Sequence, residues 1–494
     1  MVAMGLGVIL LRPITSNTQR VAFVAVVITT LAGCMSLIPP YEAPAQPVPH
    51  VYPVEDKKMG ATYLRVQGLP WRDYFTDPTL QRLIESALTN NRNLRKAALQ
   101  VDEARAVFSI QRADRFPSIN LGGQGIRAGV PADLSFSKQP GIFNAYIADV
   151  GINSWELDLW GRVRSLESSA LEKWLATGAA QQAVRVALIA QVADGYLGLR
   201  KLDEQLDIAQ QAVSSRETSY KIMRRRYEVG SSSKLELTEA QTLLNQAQAL
   251  EARLAQNRAT QLHALTELVG SDIGVLRPMP QNEASELAPV QPGLPSELLT
   301  NRPDILAAER RLRAANADIG AARAAFFPQI TLTGNLGTAS IELSRLFAPG
   351  SLAWVFMPSI SLPIFDGGRR SANLDLAQVR RNIAVANYEQ TIQTAFREVS
   401  DALAAQHWLS EQLEIQRAAL AAQKERARLA QLRYDNGSAA YLEVLDAQRD
   451  LLETEQQLVQ VRYALLSSRV ALYAALGGDA ALSAEPTPQP SNQQ

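Results

Sequence analysis

The sequence predicts a mainly α-helical protein with a membrane β-barrel, built as a duplicated helix-strand-strand-long helix-turn-helix unit whose strands are shared with other copies. Three observations predict it. First, Tyr227-Glu228-Val229-Gly230-Ser231 returns 207 residues later as Tyr434-Asp435-Asn436-Gly437-Ser438. At the same offset Ala240-Gln241 returns as Ala447-Gln448, and Val269-Gly270-Ser271-Asp272 as Leu476-Gly477-Gly478-Asp479. Matched blocks in one order are the signature of a repeat architecture. Second, positions 141–277 and 364–485 contain no proline, the residue that breaks helices. Third, short stretches ahead of each proline-free run alternate with the period of two that belongs to strands.

Composition narrows the class. Lys plus Arg equals Asp plus Glu at 49 each, so charge makes no case for nucleic acid as a partner. Ala, Leu, Gln, Glu and Arg recur throughout while aromatics are only 6%, as long packed helices prefer. Beyond the N-terminal leader no apolar segment reaches 18 residues, so any membrane crossing would be made of strands.

The chain opens with Arg12 and Arg20 ahead of an apolar run from Val21 to Ala32, shorter than the roughly 20 residues a spanning helix needs. Leu31-Ala32-Gly33-Cys34 closes that run with small residues and the single cysteine of the chain. This reads as a lipoprotein signal peptide over 1–33 and an acyl acceptor at Cys34. A covalent lipid there, the only prosthetic group expected, also accounts for the absence of a second thiol in an exported protein. Met35 and Ser36 carry no signal for inner-membrane retention. Residues 34–77 form an acylated linker, expected to be extended where 35–60 are rich in proline.

The repeats occupy 78–277 and 303–479. Between them 278–302 carries Pro278, Pro280, Pro289, Pro292 and Pro295 and cannot be continuous helix. The polar, proline-containing tail at 480–494 is expected to be disordered. Strands are predicted at about 118–127 and 143–158 in the first repeat and at 329–338 and 353–364 in the second, with loops at 128–142 and 338–352. The clearest alternation is Trp354, Phe356, Pro358, Ile360, Leu362 and Ile364 against their neighbours. Four strands cannot close a barrel, and lipid does not tolerate open edges, so closure requires other chains: three would supply twelve strands, two would supply eight. A soluble four-stranded sheet capping a helical bundle is the competing reading.

From Gly161 to Tyr227 and from Gly368 to Tyr434 the helical pattern runs 66 residues, about 100 Å at 1.5 Å per residue, too long for a compact globule. Each run is broken once, at tips over 228–234 and 435–441, where glycine suits a left-handed helix terminus. Ser233 stands three residues before Glu236, a capping-box spacing; the matching position is Ala440, three before Glu443, so the second tip is expected to fray more easily. Val444, Leu451, Leu458, Leu465 and Leu472 repeat every seven residues beside Leu445, Leu452, Val459, Leu466 and Tyr473, which predicts left-handed supercoiling and contacts on more than one side. Glu443 and Asp446, three apart, share a helix face.

Five stretches resemble one family: Cys34 to Pro39, Trp155 to Arg162, Asn301 to Ile305, Ala321 to Pro328, and Leu362 to Arg369. Together they are similar to the TolC-like outer-membrane efflux proteins, in particular the acylated OprM-type branch, over nearly the whole mature chain. The resemblance implies a homotrimer with a shared 12-stranded barrel that continues into a periplasmic α-helical barrel. It implies a lipid-anchored protein of the outer membrane that extends into the periplasm as the passive exit duct of a tripartite multidrug efflux pump. Its partners would be a periplasmic adaptor (membrane fusion) protein, an inner-membrane RND-type pump and outer-membrane lipid. By the same resemblance Gly230, Ser231, Leu235, Gly437, Ser438 and Leu442 contact the adaptor. Glu443 and Asp446 match an acidic gate pair, six mutually repelling carboxylates in a trimer, and Tyr434 with Glu236 matches a link that holds the gate shut. Ala439 departs from the arginine of the family's prototype, which puts one stabilising link in doubt.

No catalytic or metal-binding residue is expected. His50, His263 and His407 are scattered, and no phosphate loop, paired-cysteine site or nucleophile motif occurs. Two alternatives remain at this level: a duct for metal ions or for ATP-driven type I protein secretion, and a lipid-anchored structural coiled-coil scaffold without a lumen.

Overall fold

A computed structural model describes residues 36–52, 64–65, 69–135, 138–274, 287, 290–291 and 295–480. The expected leader at 1–33, the expected acyl acceptor Cys34, much of the inter-repeat linker and the tail beyond Ala480 lie outside these. In chain order the first part holds β1 (Leu64–Arg65), α1 (Trp71–Tyr74), α2 (Pro78–Asn90), α3 (Arg92–Ala113), β2 (Ile119–Val130), β3 (Gly141–Glu156), α4 (Arg162–Glu228) and α5 (Lys234–Val269). The second holds β4 (Val290–Gln291), α6 (Leu298–Asn301), α7 (Pro303–Ala324), β5 (Gln329–Ser340), β6 (Leu352–Ser361), α8 (Arg369–Asp435) and α9 (Tyr441–Ala475). Among the described residues no helix is long and apolar enough to cross a membrane.

The residues divide into two compact units. The first takes Arg105–Lys173 and Leu312–Ile383 with the chain up to Glu42. Its centre is a four-stranded antiparallel sheet in the order β2-β3-β5-β6. The strands run further into the loops than alternation predicts, so the connections shrink to 131–140 and 341–351. The reason is that Ala128-Gly129-Val130 continue the backbone ladder against Gly141-Ile142-Phe143, and ladder hydrogen bonds need no alternating pattern. At the other end β6 stops at Ser361 rather than 364, where Pro363 lacks the amide a ladder needs. β3 stops at Glu156, two residues short of the expected end. Asp158 is used instead to cap α4, accepting from the amides of Val163 (3.1 Å) and Arg164 (2.9 Å). Asp366 repeats the device for α8, accepting from Gly368 (3.1 Å) and Arg370 (3.2 Å).

Cross-strand register assigns the faces. Ile119 pairs with Ile152, Leu121 with Val150, Val150 with Leu336, and Leu336 with Trp354, so one face is a continuous apolar band that also holds Phe356 and Ile360. These side chains are uncovered in the chain: Leu121 is 87% and Trp354 72% exposed. The opposite face alternates Asn120, Gln124, Asp149, Asn335 and Ser359 with small and apolar side chains. β2 and β6 are edge strands. β3 carries a bulge between Ile152 and Trp155, where Ser154 takes φ 53° and donates its amide to Thr333 Oγ1 at 3.2 Å.

Among the described residues, the second unit, Ala43–Ala104, Trp174–Arg311 and the chain from Ala384 on, is mainly helical and also holds the short parallel pair β1-β4. Beyond the proline-rich stretch, the end of the linker is not extended: Trp71–Tyr74 form α1. Trp71, Tyr74 and Phe75 are buried, and Tyr74 stacks on Tyr473 at 4.5 Å while its hydroxyl donates to the Arg469 carbonyl at 2.9 Å. Burying three aromatics anchors this end.

The duplication is reproduced in packing. Gly270 (φ +74°) ends α5 so close to Asn90 that a Cβ would stand 2.5 Å from its carbonyl oxygen. Gly477 (φ +93°) meets Asn301 in the same way at 2.6 Å. Beside these contacts Asn91 Nδ2 donates to the Leu268 carbonyl (2.7 Å), and buried Arg302 donates to Ala475 (2.8 Å), Glu398 (2.8 Å) and both oxygens of Asp304. Burial opposes the charge on Arg302, but the Asp304 and Glu398 carboxylates keep its pKa raised. α9 makes contacts on two sides. Leu458 and Leu465 of its heptad pack with Leu413 of α8, while Tyr463 and Ser467, outside the heptad positions, donate to Asp194 of α4.

Candidate functional site

The candidate site is the pair of helical-hairpin tips in the second unit. Each long helix ends in the same way. At the first tip Ser231 donates its amide to Arg226 O (2.8 Å) and Gly230 to Tyr227 O (3.0 Å); at the second Ser438 donates to Arg433 O (2.9 Å) and Gly437 to Tyr434 O (2.9 Å). With φ +77° at Gly230 and +73° at Gly437, both are Schellman terminations that only glycine adopts cheaply. The serine hydroxyls add a second bond to the same carbonyls, Ser231 Oγ at 3.1 Å and Ser438 Oγ at 2.9 Å. Beneath the tips Met223 of α4, Leu237 and Ala240 of α5, Ala430 of α8, and Tyr441, Val444 and Leu445 of α9 form one buried cluster, which packs both hairpins together. Leu235 and Leu442 remain exposed.

The restarts differ. Ser233 and Glu236 form the full capping box: Glu236 N donates to Ser233 Oγ (3.2 Å), and Glu236 Oε2 accepts from Ser233 N (2.9 Å) and Ser232 Oγ (2.6 Å). The Ser232 hydroxyl and the Ser233 amide hold the Glu236 carboxyl below its ordinary range. Ala440 offers no side-chain cap.

This difference redistributes the charged side chains within the chain. Glu236 bonds at its own helix start, three residues away. The Tyr434 hydroxyl accepts from Arg226 Nη1, whose guanidinium lies 5.2 Å from the Tyr434 ring centroid. Arg433 occupies the position matching Arg226 but turns within its own hairpin to Glu443, which has no serine to hold it. Asp446 pairs with Arg449 at 3.2 Å, so in the chain each acid of the expected pair has its own arginine. Arg449 also meets Asp450, whose carboxyl is held low chiefly by Arg426 at 2.6 Å. Sequence reasoning passed over Arg226 and Arg433, although their offset of 207 was the signal that could have found them.

Cys34, the residue expected to be acylated, lies outside the described residues, but the segment that follows it is seated on α7. Asn316 Nδ2 donates to Pro39 O at 2.8 Å, and the Arg313 guanidinium lies 4.8 Å from the Tyr41 ring centroid. Gly320 is the seat of Ile38, since a Cβ there would stand 2.6 Å from it. The strap runs antiparallel to α7, from Tyr41 at Arg313 back to Ile38 at Gly320. Its upstream end therefore points toward the start of β5.

Comparison with known proteins agrees with this architecture. The profile of the family described as outer membrane efflux protein matches residues 83–271 and 294–478, one segment in each repeat. The antibiotic efflux pump outer membrane protein ArpC of Pseudomonas putida is 43% identical over 470 residues, covering 93% of this chain and 96% of its own. The toluene efflux pump outer membrane protein TtgC of the same species shows the same identity and coverage. Among solved structures, the open state of the MtrE outer membrane channel of Neisseria gonorrhoeae superposes with a TM-score of 0.80 at 36% identity, over 90% of this chain and 98% of that one. Matched in both repeats, and at this identity along almost its whole length, the chain belongs to the outer membrane efflux protein family.

Proposed function

We propose that three copies of this chain form the exit duct of a tripartite efflux pump, their strands closing a 12-stranded barrel in the outer membrane and their helical hairpins forming a periplasmic tunnel. The sheet carries the reading. A four-stranded sheet with an uncovered apolar face and two edge strands is stable in lipid only when other copies complete it. The more polar face then lines the lumen. Cys34 carries the lipid anchor, with the strap on α7 leading away from it. The names of relatives that export antibiotics and toluene support small organic cargo, delivered by an inner-membrane RND-type pump. The tips around Gly230, Ser231, Leu235, Gly437, Ser438 and Leu442 dock the periplasmic adaptor. Glu443, Asp446 and Tyr434 belong to the gate, with Arg226 reaching Tyr434 within the chain. No step of covalent chemistry is required of the chain.

The test is mass spectrometry of what copurifies with the acylated protein from its own membranes after mild crosslinking. A proton-driven pump with its adaptor is the expected result. An ATP-driven exporter in their place would move the duct to protein secretion.

A further inference from the structure

The two tips share one backbone but not one surface charge. Between positions 221 and 234 the first tip carries Lys221, Arg224, Arg225, Arg226 and Lys234 against a single acid, Glu228. The matching stretch, 428–441, holds Arg428, Arg433 and Asp435. Glu228 is shared by Arg224 at 3.1 Å and Arg225 at 4.0 Å, and those two side chains stay 63% and 84% exposed. Apolar groups stand among them: Val229 is 70% and Leu235 66% exposed. One carboxylate cannot neutralise two solvated guanidiniums, and duplication gives no reason for a basic excess on one tip alone. Basic and apolar side chains mixed at the end of a hairpin make a surface that an acidic protein segment complements.

We propose that the first tip, and not the second, is an electrostatic docking site for an acidic face of the adaptor's helical segment, steered by Arg224 and Arg225. The inference rests on the docking role proposed above for both tips. It makes the two tips unequal: the first selects the partner by charge, while the second contributes shape and apolar contact. Charges at the rim of an interface act mainly on association rate and salt dependence.

The probe is a designed helical hairpin bearing four glutamates on its exposed face, compared with a glutamine twin, titrated against the full-length acylated protein in detergent. The glutamate hairpin is expected to bind about ten-fold more tightly at about 50 mM salt, with the gap closing at about 500 mM as screening shortens the field. Arg224→Glu with Arg225→Glu removes the preference; Gln431→Glu with Leu432→Glu, at the matching positions of the second tip, leaves it. Equal binding of the two hairpins, or a preference that survives reversal at the first tip, overturns the inference. Adaptor recovery by crosslinking separates this from failure of the docking reading. If Leu235→Glu with Leu442→Glu leaves recovery intact, the tips are not the docking surface. If those changes abolish recovery while the Arg224 and Arg225 reversals weaken it at neither salt concentration, only the charge assignment fails.

Discussion

At the scale of single residues, Glu236 shows how a local bond outcompetes a distant one. Its carboxylate reaches its own N-cap across three residues, which the helix start holds in place, whereas Tyr434 is 198 residues away in sequence. The capping box is therefore legible in the sequence, and the partner of Tyr434 is not. Because the folded-state pKa of Glu236 is depressed, the cap is fully effective above the unfolded carboxylate value and is lost as pH falls through the folded one. Hydrogen exchange at Ser233 to Leu237, corrected for intrinsic rates, is expected to quicken below that range in the wild type. Glu236→Gln should flatten this pH response, and an unchanged response would show that the carboxylate does not hold the tip. Ser154 is the opposite case, invisible to sequence reasoning because nothing in its neighbours announces a left-handed residue in a strand. A non-glycine residue at φ 53° costs about 1 kcal/mol, so Ser154→Gly should stabilise the refolded protein by up to about that amount. A lowered unfolding midpoint in denaturant would contradict this.

At the scale of elements, two hairpins with the same termination differ in how they restart, and that difference decides the wiring between them. The serine cap takes Glu236 and leaves Arg226 free to cross to Tyr434; Ala440 leaves Glu443 to Arg433 inside the second hairpin. Arg226 to Tyr434 is therefore a polar link between the hairpins at the tips. Tyr434→Phe and Arg226→Gln should each raise conductance of the purified protein in a bilayer, and the double variant should do no more than the stronger single one, since both remove the same bond. Glu236→Gln should add little to Tyr434→Phe. Full additivity of the Arg226 and Tyr434 effects would mean that the two act on separate contacts. The lengths and terminations of these helices follow from proline-free runs ended by glycine. The assignment of arginines to partners does not, because two chemically identical side chains at matched positions choose differently.

At the scale of the whole molecule, the sheet is an unfinished object. On the function proposed above, further copies pair with its edges β2 and β6 while lipid covers its apolar face. Paired cysteines introduced along β2 and β6, in a variant whose single natural cysteine Cys34 is replaced by serine, should oxidise between copies to a ladder that ends at a covalent trimer. A ladder that stops at dimers would exclude the 12-stranded barrel. The sequence by itself determined the repeat, the paired strands, the long helices with their glycine terminations, and the family. Each of these is written in neighbours or in a fixed period, where backbone geometry alone converts residue type into structure. Only the tertiary structure decided that Trp71, Tyr74 and Phe75 anchor the linker, that Leu64–Arg65 pairs with Val290–Gln291, that Ser154 sits in a bulge, and that Arg226 reaches Tyr434 within the chain. Most of these contacts join residues far apart in the chain. Several side chains of like chemistry compete for each, and packing in three dimensions selects the one that arrives within reach.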